Sequence, residues 1–242
     1  LEFRRVLFRS PSEMPLWHRV TGEVERLCAL YGYRKVLTPV FEDTALFART
    51  SGQGSDVVQK EMYSFTDRGD ENLTLRPEGT ASVVRALLSG GLAQHLPLKY
   101  FYSGPMFRYE RPQRGRLREF WQLNADIIGS DAIEADAEII AIAHGILRSL
   151  GADESNFEIR VSDRRILDSI YSELDLSTDT RAAVTRLLDK RSKIDDFEKE
   201  LAALVKDRSS ELLEKLNSIT STAYLEDLRV HLEHLGVRNM IV

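Results

Sequence analysis

The spacing of apolar and polar positions changes character near Asp163. Ahead of it, stretches with a period near 3.6 alternate with short stretches of period 2, the signatures of helices and strands. Leu16, Val20, Val24, Leu27 and Leu30, with Trp17 beside the first, form a helical stripe that predicts a helix capped by Ser12 and stopped by Gly32. Residues 34–38 read as a short strand closed by Pro39, which cannot donate to a ladder. A helix of one or two turns over 44–50 and a polar loop over 51–56 follow. Residues 62–65 and 73–75 pair as strands around the turn Asp67-Arg68-Gly69-Asp70, and a helix over 78–89 ends at Gly90-Gly91. Two strands, 99–109 and 118–128, flank a loop containing Pro112 and Gly115. Residues 134–150 form an amphipathic helix with Ala137, Ile140, Ile146, Leu147 and Leu150 inward and Gly151 at its end, and 157–161 alternates as a strand.

Beyond Asp163 prolines are absent and helical periodicity runs through 166–174, 181–188, 194–205, 212–216 and 224–235. The expected organisation is an α+β body over residues 11–162, an all-helical unit over 163–235, and the start of a buried strand in 236–242. Residues 1–10 stand apart, with three arginines, two phenylalanines and one acid. Their longest apolar run, Val6-Leu7-Phe8, is too short for a signal-peptide core. Foreign sequence from a junction is the preferred reading over a transit peptide, and the stretch is left outside the fold.

Composition narrows the class. The 242 residues carry 33 Lys+Arg against 38 Asp+Glu, a net charge of −5, with 43% hydrophobic and 29% charged positions, which excludes a disordered chain and admits one large domain or two modest ones. The single cysteine, Cys28, excludes an internal disulfide framework. His18, His95, His144, His231 and His234 show no metal-ligand spacing, so no metal site is expected. No apolar run approaches the ~20 residues that span a bilayer, so no membrane partner is expected. The average charge gives no hint of nucleic acid; its distribution does.

On the strand over 118–128, alternate side chains point to opposite faces. Trp121, Leu123, Ala125 and Ile127 suit packing under helices, while Phe120, Gln122, Asn124 and Asp126 make a polar wall. A solvated outer face would produce a similar alternation, but short amide and acid groups without Lys, Glu or Thr suit a small polar ligand better. In the adjoining loop Arg108, Arg111, Arg114, Arg116 and Arg118 fall within eleven positions, with Glu110 the only acid. Guanidinium forks bind phosphate or carboxylate bidentately, so arginine clustering here favours anion recognition over a plain charged run. In Leu75-Arg76-Pro77-Glu78-Gly79-Thr80, Pro77 suits the first turn of a helix and Glu78 would cap it. Only if that entrance faces the polar wall does Glu78 gain a role in holding a ligand amine. No Walker loop, dinucleotide-binding glycine pattern or nucleophile elbow is present, so covalent catalysis has no support.

These residues resemble those of histidyl-tRNA synthetases, which are class II aminoacyl-tRNA synthetases, from about Glu13 to Val242. Gly32-Tyr33-Arg34-Lys35-Val36-Leu37-Thr38-Pro39-Val40-Phe41-Glu42 is similar to motif 1, whose proline lies at the family's dimer interface. Lys60-Glu61-Met62-Tyr63 and the segment from Leu75 to Thr80 look like the next characteristic segments, and Gly104-Pro105-Met106-Phe107-Arg108-Tyr109-Glu110-Arg111-Pro112-Gln113-Arg114-Gly115-Arg116 closely matches motif 2. The helical unit resembles the insertion domain that reaches toward the tRNA acceptor stem. The resemblance implies an antiparallel sheet flanked by helices, a cytoplasmic homodimer, and histidine, ATP with Mg2+, and tRNA-His as partners. It gives Arg108 the ATP α-phosphate and the histidine carboxylate. Glu78, Gly79 and Thr80, with Gln122, would hold the histidine amine end, and Asp126 the imidazole, where some members carry Glu. Glu110 would face the adenine, Arg116 the phosphates or the acceptor end, and Arg111 and Arg114 the tRNA.

The family continues past a strand like Val237-Arg238-Asn239-Met240-Ile241-Val242 into an Arg-Gly-(Leu/Phe)-Asp-Tyr-Tyr segment, motif 3 and an anticodon-binding domain, none of which the 242 residues contain. The expectation is therefore a catalytic-region fragment with little adenylation of its own. The alternative is a regulatory subunit of ATP phosphoribosyltransferase, a non-catalytic relative that binds histidine as a signal; the Arg108/Glu110 pair and the arginine-rich loop argue for the synthetase.

Overall fold

The computed structural model describes residues 9–51, 61–110, 116–191, 194–218, 221–238 and 240–241. The chain divides into two compact units, residues 1–153 and 154–242. In the first, the elements are α1 (Met14–Leu30), β1 (Arg34–Lys35), β2 (Phe41–Asp43), α2 (Thr44–Ser51), β3 (Tyr63–Thr66), β4 (Asn72–Leu75), α3 (Thr80–Ser89), β5 (Leu98–Phe107), β6 (Glu119–Ile128) and α4 (Ile133–Ser149). β5 pairs antiparallel with β6 along its whole length, and β1 adds to β5 in parallel. A second sheet has the order β2-β4-β3, all antiparallel.

One face of the β5–β6 pair closes a core with α1 and α4, where Val24, Leu27, Cys28, Tyr33, Phe101, Ile142 and Ile146 are buried and Ala125 and Ile127 pack against them. The apolar set expected on β6 is only half covered. Trp121 is 38% and Leu123 36% exposed, because the buried part of α1 is its C-terminal half. Nearer its start, α1 offers Trp17, which meets Trp121 edge to face at 4.8 Å between centroids. Leu16 and Leu30 lie outside the buried stripe, and on α4 Leu147 stays on the exposed margin while Ala137, Ala141, Ile142 and Ile146 face in.

Three boundaries differ from the pattern reading for local reasons. Ser12 does not cap α1: the Glu13 carboxylate accepts from the Ser10 N–H at 2.7 Å and the Ser10 hydroxyl at 2.8 Å, and residues 11–13 are already in a turn. β1 stops early because Val36 N–H to the Phe101 carbonyl, at 2.9 Å, is its last bond to β5; the chain then turns the Thr38 and Pro39 carbonyls to Arg76. Pro77 lies outside α3, which begins at Thr80; β2 was not foreseen and packs on β4. Arg85 of α3 grips Glu42 of β2 with both carboxylate oxygens at 2.8 Å, tying the helix to the second sheet.

The second unit pairs β7 (Ile159–Arg160) in parallel with β8 (Met240–Ile241) and holds α5 (Arg164–Glu173), α6 (Thr178–Leu188), α7 (Phe197–Val205), α8 (Ser209–Ser218) and α9 (Ala223–His234). Side-chain oxygens cap three of these helices as the sequence favours: Asp163 for α5, Ser177 for α6 and Thr222 for α9. The apolar faces of α5, α6, α7 and α8 meet around Ile170, Tyr171, Leu174, Val184, Leu187, Phe197, Leu201, Val205 and Leu212. No helix among the described residues is long and apolar enough to cross a membrane.

Leu212 is fully buried in that cluster. Leu212→Ala should therefore destabilise the helical unit by about 2–5 kcal/mol through lost transfer energy and the cavity left behind. In urea titrations, α-helical signal should be lost at lower concentration while the Trp17/Trp121 fluorescence transition keeps its midpoint.

Candidate functional site

The register of β5 with β6 decides what shares the sheet face opposite the α1/α4 core, part of which α3 covers where Val83 packs with Tyr102 and Met106. Tyr100 lies opposite Asp126, Tyr102 opposite Asn124, Gly104 opposite Gln122, and Met106 opposite Phe120. Directly opposed residues in an antiparallel pair point the same way, so the polar wall is extended by two tyrosines. Gln122 Oε1, Asn124 Oδ1 and Asp126 Oδ2 are each buried and lack a hydrogen-bond partner among the described residues. Such orphaned acceptors cost about 1–3 kcal/mol apiece. Three in a row on one strand face mark a place where a ligand's donors would complete the set.

The entrance of α3 comes to this same face. The Thr80 hydroxyl lies 3.3 Å from the Tyr102 hydroxyl, 3.3 Å from Asp126 Oδ1 and 3.5 Å from Asn124 Nδ2. Glu78 caps the helix, accepting from the Thr80 N–H at 2.6 Å and the Ala81 N–H at 3.0 Å. The capping role and proximity to the wall thus coexist: the carboxylate is held by two amides and keeps lone pairs for another donor. Gly79 is required here, because a Cβ at that position would overlap the Tyr102 ring.

Arg108 follows β5. Its Nε donates to the Pro77 carbonyl at 2.8 Å, its backbone N–H bonds the Arg118 carbonyl at 3.0 Å, and its guanidinium lies 5.2 Å from the centre of the Phe120 ring. One edge of the fork is therefore spent on positioning, and its two Nη groups make no hydrogen bond among the described residues. Arg116 Nη1 lies 3.4 Å from Glu110 Oε2, so these two expected nucleotide contacts pair with one another. Arg118 stacks at 3.9 Å on Tyr109, which makes it a supporting residue of the hairpin. Arg111 and Arg114 lie outside the described residues.

Burial raises the Asp126 carboxyl above its usual range; the Thr80 hydrogen bond opposes the rise and Glu78 adds to it. Burial also raises the Tyr102 hydroxyl, so it stays protonated and can donate. No group of three His, Cys, Asp or Glu side chains among the described residues is placed to hold a metal ion. The sequence reading brought Glu78, Gly79, Thr80, Gln122, Asp126 and Arg108 together as a set, and the structure gathers them at one sheet face. It missed Tyr102, whose register opposite Asn124 follows from centring the hairpin on its arginine loop, a signal present in the sequence but hidden by the neighbouring Phe101.

The sequence profile described as histidyl-tRNA synthetase matches residues 6–239. This chain belongs to the histidyl-tRNA synthetase family. It is 51% identical over 178 residues to the histidine–tRNA ligase of Gluconacetobacter diazotrophicus, covering 69% of this chain and 43% of that protein. It is 44% identical over 219 residues to the Mycobacterium bovis ligase, covering 87% of this chain and 51% of that one. The chain thus spans about half, or less, of the length of these curated relatives. The apo histidyl-tRNA synthetase of S. aureus superposes with a TM-score of 0.61 at 25% identity, covering 98% of this chain and 49% of that one. A Bacillus halodurans protein described as an ATP phosphoribosyltransferase regulatory subunit/histidyl-tRNA synthetase gives 0.78 at 19% identity, covering 99% and 67%, a likeness of fold alone. The β5–β6 pair and its flanking helices are accordingly the class II architecture of this synthetase family.

The raised Asp126 carboxyl has a definite pH signature. Between the ordinary aspartate value and the raised one, the folded chain binds more protons than the unfolded chain, so this group's contribution to stability falls as pH rises through that window. Above the window the penalty is full and constant; below the ordinary value it vanishes. Asp126→Asn should therefore be more stable than the parent at pH 7, with the difference shrinking as pH drops, which paired urea denaturation at pH 7 and pH 4 measures.

Proposed function

We propose that the polar part of the β5–β6 face at the α3 entrance is the histidine and ATP site of a histidine–tRNA ligase. The observation that carries this is the row of buried, partnerless acceptors Gln122, Asn124 and Asp126 beside the Glu78–Thr80 entrance, in a chain of this family. Histidine supplies what such a row lacks: an ammonium with three donors and an imidazole N–H. Glu78, Gly79, Thr80 and Gln122 receive the amine end. Asp126, the deepest carboxyl of the row, receives the imidazole.

Arg108 bridges the histidine carboxylate and the ATP α-phosphate with its two Nη groups. The carboxylate oxygen attacks the α-phosphorus in line, the bond to the β-phosphate oxygen breaks, and pyrophosphate leaves. The terminal ribose hydroxyl of tRNA-His then attacks the carbonyl carbon, and AMP departs. Charge develops on the phosphorus oxygens, where a pre-oriented guanidinium stabilises it without reorganisation. Glu110 faces the adenine and Arg116 the phosphates; ligand entry separates that 3.4 Å pair. Arg111, Arg114 and Arg116 contact the acceptor end. Mg2+ would travel with the nucleotide and neutralise phosphate charge, as is usual for an ion that keeps most of its waters and takes one or two protein carboxylates.

Homodimer formation is part of this reading. Leu37 is 82% exposed and lines a groove of about 230 Å³ with Val36, Val83, Leu87, Leu92 and Tyr100. Exposed apolar surface of this kind marks an interaction site, and Val36 and Leu37 of the groove belong to the segment that resembles motif 1. Substrates of this type set the reaction in the cytoplasm.

Calorimetric titration tests the assignment. Histidine should bind the chain, and Asp126→Ala should weaken it about 10- to 100-fold, the worth of a hydrogen bond to a charged group. Arg108→Ala should weaken both histidine and ATP. Histidine affinity unchanged in both variants, with folding intact by circular dichroism, would overturn the pocket assignment.

A further inference from the structure

Arg76 is a buried arginine, 6% exposed, and none of its hydrogen-bond partners among the described residues is acidic. Nε donates to the Pro105 carbonyl at 2.9 Å, and Nη1 reaches the Thr38 carbonyl at 2.9 Å, the Thr38 hydroxyl at 3.1 Å and the Pro39 carbonyl at 3.4 Å. Its backbone is tied as well: the N–H bonds the Val40 carbonyl at 2.9 Å, and the carbonyl accepts from Phe107 N–H at 3.0 Å. Burial lowers its affinity for the proton, yet guanidinium stays charged at any working pH. An unpaired buried charge is a costly way to hold two strands together when neutral amide pairs would suffice.

What the charge gains is reach. Only a planar fork on a long stem can collect carbonyls from the segment over 38–39 and from Pro105 at the same time. Gly104 makes room for it: a Cβ there would stand 2.5 Å from Arg76 Nη2. Gly104 lies opposite Gln122, so the guanidinium rests on the floor of the polar face. The next residue, Pro77, gives its carbonyl to Arg108, and Glu78 and Thr80 follow at once.

We propose that Arg76 is a positioning residue, whose guanidinium clamps the segment over 38–39 to β5 and thereby fixes the Pro77–Thr80 loop that carries Glu78 and Thr80 and anchors Arg108. The proposal rests on the histidine-site reading for its consequence, since the loop it fixes is the one that receives the amine. Its structural half stands apart from that reading. The clamp acts through the loop.

Hydrogen–deuterium exchange of the ligand-free chain tests the clamp directly. In Arg76→Met, amides over 79–83 should exchange at least tenfold faster, while those of α4 and of the helical unit keep their rates. Arg76→Lys, which retains the charge but not the fork, should fall between. Gly104→Ala leaves the guanidinium in place but displaced, so it should reproduce the local effect even if Arg76→Met folds poorly. Histidine titration then asks whether the clamp acts through the loop. Arg76→Met should weaken histidine about tenfold alone and add little in a Thr80→Val background, the non-additivity of residues acting in series. Unchanged exchange over 79–83, an equal rise throughout residues 9–153, or full additivity with Thr80→Val would overturn the proposal. If the parent chain binds no histidine, the histidine-site reading fails while the exchange result still decides the clamp.

Discussion

The register of β5 against β6 is the constraint from which the rest of the first unit follows. Because side chains alternate, pairing Leu98 with Ile128 and Phe107 with Glu119 commits every residue between to one of two faces. Phe101, Ala125 and Ile127 go to the α1/α4 core, and Tyr102, Gln122, Asn124 and Asp126 go to the opposite face, toward α3. A slip of β6 by one residue would drive three polar groups into an apolar core and expose Ala125 and Ile127. The cost of that slip, several unsatisfied polar groups at once, makes the register far more secure than its hydrogen bonds alone, since any register has those. The same groups that give the sheet face its chemistry therefore also help specify how the sheet pairs.

That specification carries a local cost which the fold leaves uncorrected. Orphaned acceptors on β6 and a buried carboxyl with a raised pKa would be poor choices if stability were the only criterion. The surrounding structure over-determines them. Thr80 is held at the α3 entrance by the Glu78 cap, α3 is held to β2 by the Arg85–Glu42 pair, and β5 is gripped by Arg76. The Glu78 cap is local, but the Arg85–Glu42 and Arg76–Pro105 contacts join elements distant in sequence and do not arise from local propensity. Rigid placement of this kind is what an orientation-dependent reaction needs, because the entropy of aligning the groups is spent at folding and not at binding.

Much of this was legible in the sequence, and the missing parts share a cause. Helices of the second unit and the β5–β6 strands were readable because period and length speak for themselves, and Gly32 and Gly151 stop helices with φ of +80° and +100° as expected. Among the candidates, Gln122 and Asp126 stood out by residue type and strand alternation and Arg108 by arginine clustering, whereas Glu78 and Thr80 read as a helix cap until the α3 entrance was seen to face the same wall. Ser12 misled because Glu13, bonded to Ser10, pre-formed the turn a cap would have started. Trp121 and Leu123 misled because periodicity reports which face a residue occupies, not how far the covering helix extends. Arg76 was invisible in its role: its partners Thr38, Pro39 and Pro105 are backbone carbonyls, and no residue type advertises a carbonyl.

Arginine at 76 and at 108 illustrates one side chain put to two uses on either side of one loop, Pro77–Thr80. Both donate Nε to a proline carbonyl, Pro105 for Arg76 and Pro77 for Arg108. A proline carbonyl is a reliable acceptor at a fixed place, since the ring restrains the preceding torsion and no N–H of its own residue competes for the site. For Arg76, Nη1 also points inward to further carbonyls, so its charge is spent on structure. For Arg108 the rest of the fork is left toward the open face, so its charge remains available. The difference lies in the carbonyls around each and not in the residue, which is why a five-arginine motif could be read as an anion site while the arginine that steadies it could not. Lysine could replace neither function fully: an ammonium offers no plane to divide between an anchor on one edge and a ligand, or a second segment, on the other.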